Sequence, residues 1–457
     1  MSSIPSGNRD SFGSKFGVIA AAAGSAVGLG NIWRFPLVTT QNGGGAFLIL
    51  YISFIVFIGI PVMLSEFSIG RRAQLNAFGS FKKLAPKTPW YLVGSLGIIT
   101  AFAILSFYSA VAGWTLEYLV EAVSGKLLHT EDMVQNFADF STSVSRPIMW
   151  QLIFMLLTAV VVYAGIQKGI EKFTKILMPV LVILIIVVVV RSVTLPGAGE
   201  GVKYLFIPDW SAVNFKTVLM ALGQAAFSLS IGMGTLITYG SYIQKDNHLL
   251  RTSSQVALAD TSIAILSSLM VIPAIFAFSA GSVDQMSPGP GLVFEVLPAV
   301  FKSMAGGAVF AAVFFFLLSV AALTSTISVL EVVVAYLKEE LGMSRGKATL
   351  IASISISILG VLATLSFSVL SGFHIFGLNI FDLLNFASAN IMLTFGALFI
   401  VIFVGWRLGK SNFLDEISNK GQVRSGLNKI VFFIIRFIAP VAIGIIAVAA
   451  LFIKGIT

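Results

Sequence analysis

The sequence lacks cysteine and is poor in charged residues, and both shortages narrow the class of protein that it encodes. None of its 457 residues is cysteine, which excludes disulfides and thiol catalysis and leaves the redox compartment unspecified. The three histidines, His129, His248 and His374, show no metal-ligand spacing. Charged residues make up 11% of the chain, against about 25% in soluble proteins, whereas hydrophobic residues make up 57% and the mean hydropathy is +0.96. These values predict a helical membrane protein with several spans.

Eleven apolar segments are long enough to cross a bilayer, which takes about 20 residues for a helix. Several segments are longer than that, which predicts helices that are tilted or interrupted. Prolines mark residues 282–303 as a structured outer hairpin rather than a span. The predicted spans are residues 14–40, 44–70, 90–124, 148–166, 170–192, 213–243, 252–280, 304–337, 347–371, 376–406 and 429–453.

The distribution of lysine and arginine predicts the orientation of these spans. The N-terminal tail and the loops on its side of the membrane carry 20 of the 29 basic residues, and this side is therefore expected to be cytoplasmic. An odd number of spans in the inner (plasma) membrane then places the C-terminus outside. The asymmetry also explains the net charge of +9 without a nucleic-acid partner. The basic residues on the predicted outer side are Lys126, Arg146, Arg191, Lys203, Lys216, Lys302 and Lys454.

The first span contains a stretch, Gly24 to Pro36, that reads GSAVGLGNIWRFP and is unsuited to a continuous membrane helix. A glycine inside a helix costs about 1 kcal/mol relative to alanine. An ionisable side chain such as that of Arg34 costs roughly 2.5–3.5 kcal/mol on insertion scales. Backbone that is not helical at membrane depth occurs only where it is buried in protein or lines a cavity. The stretch therefore predicts a binding site.

The sixth segment repeats this irregularity. Residues 224–242 read QAAFSLSIGMGTLITYGSY, with two glycines and three hydroxyl side chains close together. Two interrupted helices, each heading a half of five spans, indicate a secondary transporter built from an inverted repeat. The alternative is that the glycines only allow neighbouring spans to pack closely. The predicted parts are a tail at 1–13, repeats at 14–192 and 213–406, and a final span at 429–453.

Polar residues in three other spans are candidates for the site. Thr324 and Ser325 either hydrogen-bond back to the preceding turn or supply neutral oxygens to a monovalent cation, since divalent sites recruit carboxylates. Tyr108 lies midway along the third span, where a buried phenol needs a partner. Asp260 is either a functional acid within the seventh span or a charge at the end of a loop.

Several motifs together resemble the neurotransmitter:sodium symporter family. They are GSAVGLGNIWRFP with NGGGAF, then SEFSIGRR, KGIEKFTKILMP, SYIQKD and ALTS, and they extend from Arg9 to about Trp406. The resemblance implies an all-α LeuT-type fold with a five-plus-five inverted repeat and broken first and sixth helices. The family commonly has twelve spans, and this chain resembles its shorter eleven-span prokaryotic form.

The resemblance also implies a set of site residues, with two sodium ions as the cofactors. One sodium site falls on Ala26, Asn31, Ser228 and Asp260, together with the substrate carboxylate. The second falls on Gly24, Val27, Ala321, Thr324 and Ser325. The substrate contacts fall on Ala26, Leu29, Gly30, Ile104, Tyr108, Phe227, Ser230, Met233, Ser325 and Val329.

Two gates are implied in the same way. By this resemblance, the outer gate is formed by Arg34, which pairs through Gln224 with a residue of the tenth span. That residue is either Asp382 or Asn385. By the same resemblance, the inner gate is formed by Arg9 paired with Glu339. Phe12 covers this pair and Tyr242 supports it.

The implied function is sodium-coupled symport of a hydrophobic or aromatic amino acid across the lipid bilayer by alternating access. Asp260 stands where the family usually has asparagine, which favours independence of chloride. An enzyme is not expected, because no nucleophile–base pair or metal cluster lies within the spans. Two alternatives remain: a proton-coupled transporter of the same fold, which would place a cation at Thr324 or Ser325, and a sensor that binds amino acids without moving them. The sequence does not indicate an oligomeric state.

Overall fold

The computed structural model describes residues 10–278, 292–422 and 426–452. Within these ranges the chain is helical and contains no β-strand, only isolated bridges at Gly44–Pro208 and Ile375–Leu378. Nine helices in these ranges are long and apolar enough to cross a membrane, and one bent helix pair adds a tenth candidate. The sixth predicted span is present as two shorter helices separated by residues 229–234.

All eleven predicted segments are helical, with ends that differ from the prediction by a few residues. Of the predicted outer hairpin, residues 282–291 lie outside the described residues, and the rest forms the helical turns Leu292–Val296 and Leu297–Lys302. The spans are Lys15–Ala26 with Gly30–Gln41, Gly45–Ala73, Tyr91–Val123, Ser145–Tyr163, Ile166–Val193, Phe215–Ser228 with Thr235–Gly240, Leu249–Phe278, Gly307–Glu340, Arg345–Leu365, Ile380–Leu408 and Leu427–Ala449.

Shorter helices fill the loops, and polar side chains fix where several helices begin. Asn214 and Thr217 form a reciprocal cap at the start of the sixth span, and Ser344 and Asn379 cap the ninth and tenth spans. Each cap satisfies a main-chain N–H that has no partner within its own helix. The loop helices are Ala77–Leu84, Lys126–His129, Met133–Ser141, Ala198–Phe206 and Lys410–Ile417.

The breaks in the first and sixth spans lie side by side. The first span bends by 57° between Ala26 and Gly30. In the sixth span Ser230 and Gly234 have φ angles of 53° and 76°, in the left-handed region that interrupts a helix. The Ser230 hydroxyl donates a hydrogen bond of 3.1 Å to the carbonyl oxygen of Ser25. A serine held in this strained conformation by a contact to the other break indicates that the two interruptions form one site.

Four continuous spans beside the breaks are joined by side-chain hydrogen bonds. Thr115 of the third span bonds Ser319 of the eighth at 2.9 Å, and Thr158 of the fourth bonds Thr326 of the eighth at the same distance. Gln151 of the fourth span donates to Ser109 of the third and accepts from Thr364 of the ninth. Such bonds between membrane helices contribute about 0.6 kcal/mol each on average. Spans three, four, eight and nine therefore form a linked scaffold against which the broken helices lie.

Candidate functional site

A cavity of about 660 Å³ extends from the helix breaks to one surface of the protein. It reaches that surface beside Gln41, Asn214 and Lys216, which are exposed. This is the side that the basic residues predict to be outside. All ten residues predicted to contact substrate line the cavity: Ala26, Leu29, Gly30, Ile104, Tyr108, Phe227, Ser230, Met233, Ser325 and Val329.

The inner part of the cavity is polar where the first span breaks. The Tyr108 hydroxyl accepts a hydrogen bond of 3.0 Å from the main-chain N–H of Leu29. A Cβ atom on Gly28 would lie 2.9 Å from this hydroxyl oxygen and 3.3 Å from the hydroxyl oxygen of Ser325. Gly28 therefore leaves the space in which two hydroxyls meet the exposed backbone. A phenol, a hydroxyl and the N-terminus of a half-helix are groups that suit a carboxylate.

The remaining wall of the inner cavity is apolar. Ile104, Phe227, Met233 and Val329 line it, and Met233 and Val329 are each only 3% exposed. None of these four side chains carries a charge. Methionine has three rotatable bonds and adapts to ligands of different shape. The inner cavity thus offers a polar end and an adaptable apolar end, which matches the two ends of a hydrophobic amino acid.

Asp260 is fully buried and is held by three side chains from other spans. Its Oδ1 accepts hydrogen bonds from Asn31 at 2.7 Å and from Ser228 at 2.9 Å, and its Oδ2 accepts one from the Tyr51 hydroxyl at 3.1 Å. The alternative interpretation, a charge at the end of a loop, is wrong, because Asp260 lies well inside Leu249–Phe278 and is 0% exposed. The sequence analysis missed Tyr51; its only signal is a phenol in the first, largely apolar half of the second span.

The four residues predicted for the first sodium site lie together. Ala26, Asn31 and Ser228 line the cavity, and Asn31 and Ser228 both bond Asp260. The Asn31 side-chain oxygen also accepts a hydrogen bond of 3.2 Å from the Gly28 N–H across the break. Amide, hydroxyl and carboxylate oxygens are ligands that suit a hard cation such as sodium. The donor set therefore fits the ion.

The residues predicted for the second sodium site lie where the eighth span meets the end of the first half-helix. A Cβ atom on Gly24 would lie 3.3 Å from Cβ of Thr324. The Thr324 hydroxyl donates a hydrogen bond of 3.0 Å to the Ala321 carbonyl oxygen. This is the predicted alternative in which the hydroxyl bonds back to the preceding helical turn. Its lone pairs stay available as acceptors. Val27 and Ser325 complete the set beside the last carbonyls of Lys15–Ala26, which lack helical partners and carry the negative end of the helix dipole.

The side of the protein opposite the cavity mouth is closed, and Phe12 is buried there against the second half of the sixth span. This side chain is 2% exposed, and its ring centroid lies 5.6 Å from that of Tyr239 and 6.1 Å from that of Tyr242. The Phe12 N–H donates to the Tyr242 carbonyl oxygen at 3.2 Å. The predicted partner Arg9 lies outside the described residues. Glu339 accepts hydrogen bonds from the main-chain N–H and the side-chain amide of Asn76.

Three residues around this closed end were missed by the sequence analysis. The Tyr242 hydroxyl donates to Glu331 at 2.8 Å, and Arg345 pairs with the same carboxylate at 2.6 Å. On the other flank, Glu171 accepts hydrogen bonds from the Gly13 N–H at 2.6 Å and from the Ser14 hydroxyl at 2.8 Å. Their sequence signals are acidic and basic residues near those ends of the spans that are predicted to be cytoplasmic, and such residues do not indicate pairing partners.

The residues of the predicted outer gate, Arg34, Gln224 and Asp382, are not bonded to one another. The guanidinium carbon of Arg34 lies 4.5 Å from the centre of the Phe227 ring, and Arg34 makes no ion pair within the described ranges. Asp382 instead bonds Asn379, at the start of its own helix. Gln224 is 2% exposed and makes no side-chain hydrogen bond to the described residues. Asp382 and Asn385 both line the cavity, so the choice between them stays open. These features define a membrane transporter whose cavity is open at one end.

Comparison with known proteins agrees with this class. The model of the Sodium:neurotransmitter symporter family matches residues 9–139 and 129–455. The sodium-dependent transporter YhdH of Bacillus subtilis is 39% identical over 436 residues, covering 95% of this chain and 96% of that protein. A sodium-dependent transporter of Haemophilus influenzae is 37% identical over 457 residues, covering 97% and 98%. The crystal structure of MhsT in complex with L-phenylalanine is 45% identical, with a TM-score of 0.89 and coverage of 97% and 100%.

The chain belongs to the Sodium:neurotransmitter symporter family. It is a multi-pass membrane protein and a sodium-dependent symporter, not an enzyme. The predicted family and the predicted LeuT-type helical fold are both confirmed.

Proposed function

We propose that this protein carries a hydrophobic or aromatic amino acid across the membrane together with sodium, by alternating access. The observation that carries the proposal is the single cavity lined by all ten predicted substrate residues, polar at the helix breaks and apolar beyond them. A likeness at 45% identity to MhsT, whose crystal structure contains L-phenylalanine, supports the same substrate class.

The proposed binding mode divides the substrate between the two ends of the inner cavity. The carboxylate lies at the start of the second half-helix, near Gly30, where the helix dipole is positive, and receives the Tyr108 hydroxyl. Unwound carbonyl oxygens hold the ammonium group. The side chain lies against Ile104, Phe227 and Met233, and burial of each further methylene contributes about 0.8 kcal/mol. Leucine is therefore expected to bind more tightly than alanine, and charged amino acids are excluded.

Two sodium ions are proposed to provide the coupling. The first lies between Asn31, Ser228 and Asp260 and also touches the substrate carboxylate, so ion and substrate each raise the affinity of the other. The second lies between Gly24, Val27, Ala321, Thr324 and Ser325, where it joins the first span to the scaffold. The carboxylate of Asp260 supplies the negative charge that a chloride ion would otherwise provide.

In the proposed alternating access, the open end of the cavity closes and the closed end then opens. With the predicted orientation, the structure is open to the outside, and Phe12 closes the cytoplasmic side. Closure of the outer side brings Arg34 towards Asp382 or Asn385 through Gln224, whose amide lies between the spans. Opening of the inner side then requires release of Phe12 from Tyr242. Gly169 and Pro179 flank the part of the fifth span that is proposed to unwind beside the second sodium site.

Sodium titration of substrate binding tests the assignment of both sodium sites. In detergent, Asn31→Ala and the double variant Thr324→Ala with Ser325→Ala are expected to raise the sodium concentration for half-maximal binding of labelled leucine by about tenfold. The first variant loses one oxygen ligand and the double variant loses two. Thr326→Ala is the matched control, since its hydroxyl faces Thr158 of the scaffold. An unchanged sodium midpoint in both site variants would refute the assignment.

The alternatives make different predictions. A proton-coupled transporter is disfavoured because Thr324 and Ser325 are neutral and no cation replaces them. A sensor would bind substrate without exchanging it. Counterflow of labelled leucine into vesicles preloaded with unlabelled leucine separates a sensor from a transporter.

A further inference from the structure

Arg436 lies within the last span and has no partner of opposite charge among the residues that the structure describes. The span runs from Leu427 to Ala449, and Arg436 sits nine residues from its start, about 13 Å along the helix axis. No acidic side chain of the described residues lies within 4.0 Å of its guanidinium group. Its Nε atom is buried without a hydrogen-bond partner among the same residues. A charged side chain inside a membrane span normally pairs or marks a functional site.

Two aromatic rings contact the guanidinium group of Arg436 at the lateral surface of the helix bundle. Its carbon lies 5.7 Å from the centre of the Trp406 ring and 5.5 Å from that of Phe437. Trp406 is 49% exposed and Phe437 is 50% exposed, so this face is turned towards lipid. The absence of a side chain at Gly405 allows the close approach, because a Cβ atom there would lie 3.2 Å from Cα of Arg436. The cation is therefore held in place at the boundary between protein and lipid, away from the transport cavity.

We propose that Arg436, held by Trp406 and Phe437, binds the headgroup phosphate of an anionic phospholipid. The long arginine side chain can reach from its helix towards the interfacial region. Three further cations, Arg407, Lys410 and Lys429, are exposed near the ends of the same two spans. Clusters of basic residues next to membrane helices attract anionic lipid.

The charges near the site favour an anion over any other occupant. The acid Glu416 of the adjoining loop is already paired with Arg71 and Arg72. A guanidinium group presents several parallel N–H donors, which match a phosphate better than a single point charge does. Phe437 lies beside the guanidinium group, and the ring centroid of Phe433 lies 5.2 Å from that of Phe437. Both phenylalanines are exposed, and their faces suit acyl chains. A lipid satisfies both the cation and the apolar faces, whereas a free phosphate satisfies only the cation.

Native mass spectrometry of the full chain in detergent tests this site. Phosphatidylglycerol is titrated against the wild type, R436Q and the control R191Q, which removes an arginine that lies over Phe310 near the opposite surface. R436Q is expected to lose one bound phosphatidylglycerol, with affinity at that site lowered about fivefold, and R191Q is expected to keep it. R436K keeps the positive charge but lacks the planar guanidinium group. Its affinity for phosphatidylglycerol is expected to lie between those of the wild type and R436Q.

Two further arms identify the ligand. Phosphatidylcholine, which carries a phosphate without net negative charge, is expected to bind the wild type more weakly than phosphatidylglycerol. Glycerol phosphate without acyl chains is expected not to displace the lipid. Equal retention of phosphatidylglycerol by wild type and R436Q, or equal losses in R436Q and R191Q, would overturn the proposal. Displacement by glycerol phosphate at the same concentration would show an ordinary anion site and would also overturn it.

Discussion

Asp260 is the residue on which the proposed ion binding depends most. A fully buried carboxylate is costly unless hydrogen bonds and charge compensate it. Asn31, Ser228 and Tyr51 provide the hydrogen bonds, and a sodium ion at the proposed first site would supply the charge. Asp260 and sodium are thus expected to stabilise each other in the interior, which requires no chloride ion.

Anion replacement tests this role of Asp260. When chloride is replaced by gluconate, sodium-driven uptake by the wild type is expected to be unchanged. Asp260→Asn removes the fixed charge and is expected either to abolish uptake or to make it depend on chloride. Asp209→Asn is the matched control and should respond like the wild type, because the Asp209 carboxylate lies outside the spans and accepts a hydrogen bond from Ser211. Loss of wild-type activity in gluconate would contradict the compensation by Asp260.

Single residues also show where sequence reasoning ends. The ten residues predicted to contact substrate line one cavity, because the broken helices and the family motifs fix their places along the chain. Their contact with substrate stays a prediction. Tyr51 and Glu331 were missed, because an isolated polar residue in a span does not reveal which face of the helix it occupies or what it meets. Tyr51 bonds Asp260, which lies 209 residues away along the chain, and Glu331 bonds Tyr242, which lies 89 residues away.

At the scale of helices, the fifth span is joined to the start of the first. Glu171 lies in the helical turn Ile166–Glu171 and accepts hydrogen bonds from Gly13 and Ser14, and Gln167 of the same turn donates to the Ser11 carbonyl oxygen at 2.9 Å. A π-helical turn of this kind often marks a functional site in a helix. If the inner gate opens by separating the start of the first span from the fifth span, these contacts must break, so they are expected to stabilise the closed state.

Hydrogen exchange tests the contribution of Glu171. In Glu171→Gln the acceptor loses its charge, and exchange of the amides in residues 10–20 is expected to rise about fivefold, corresponding to roughly 1 kcal/mol. Glu200→Gln, whose carboxylate pairs with Lys203 on the surface, is the matched control and should leave that segment unchanged. Exchange equal to the wild type in Glu171→Gln would show that this contact does not hold the segment.

The helices themselves were largely predictable from the sequence, because apolar length and flanking charge determine where a span can lie. The sixth span was predicted as broken from its glycines, and the structure places the break at residues 229–234. The π-helical turns, such as Phe386–Met392 and Phe403–Leu408, were not predicted. These turns contact neighbouring spans, and local sequence does not encode those contacts.

At the scale of the whole molecule, a linked scaffold of four spans faces two broken helices across a cavity that is open at one end. The sequence predicted this inverted-repeat architecture. It did not predict which end of the cavity is open, because both gates are present in the sequence and only packing decides which is joined. Phe12 packs against Tyr239 and Tyr242, whereas Arg34 lies over Phe227 and forms no ion pair with any residue that the structure describes.

Uptake of labelled amino acids into proteoliposomes tests the central proposal most directly. With an inward sodium gradient, leucine and phenylalanine are expected to accumulate and to compete with each other, whereas glycine and glutamate compete poorly. Potassium in place of sodium is expected to abolish accumulation, because the neutral oxygens of the second site and the compact first site suit the smaller ion. Accumulation that is independent of sodium, or competition by glycine or glutamate as strong as that by leucine, would contradict the account.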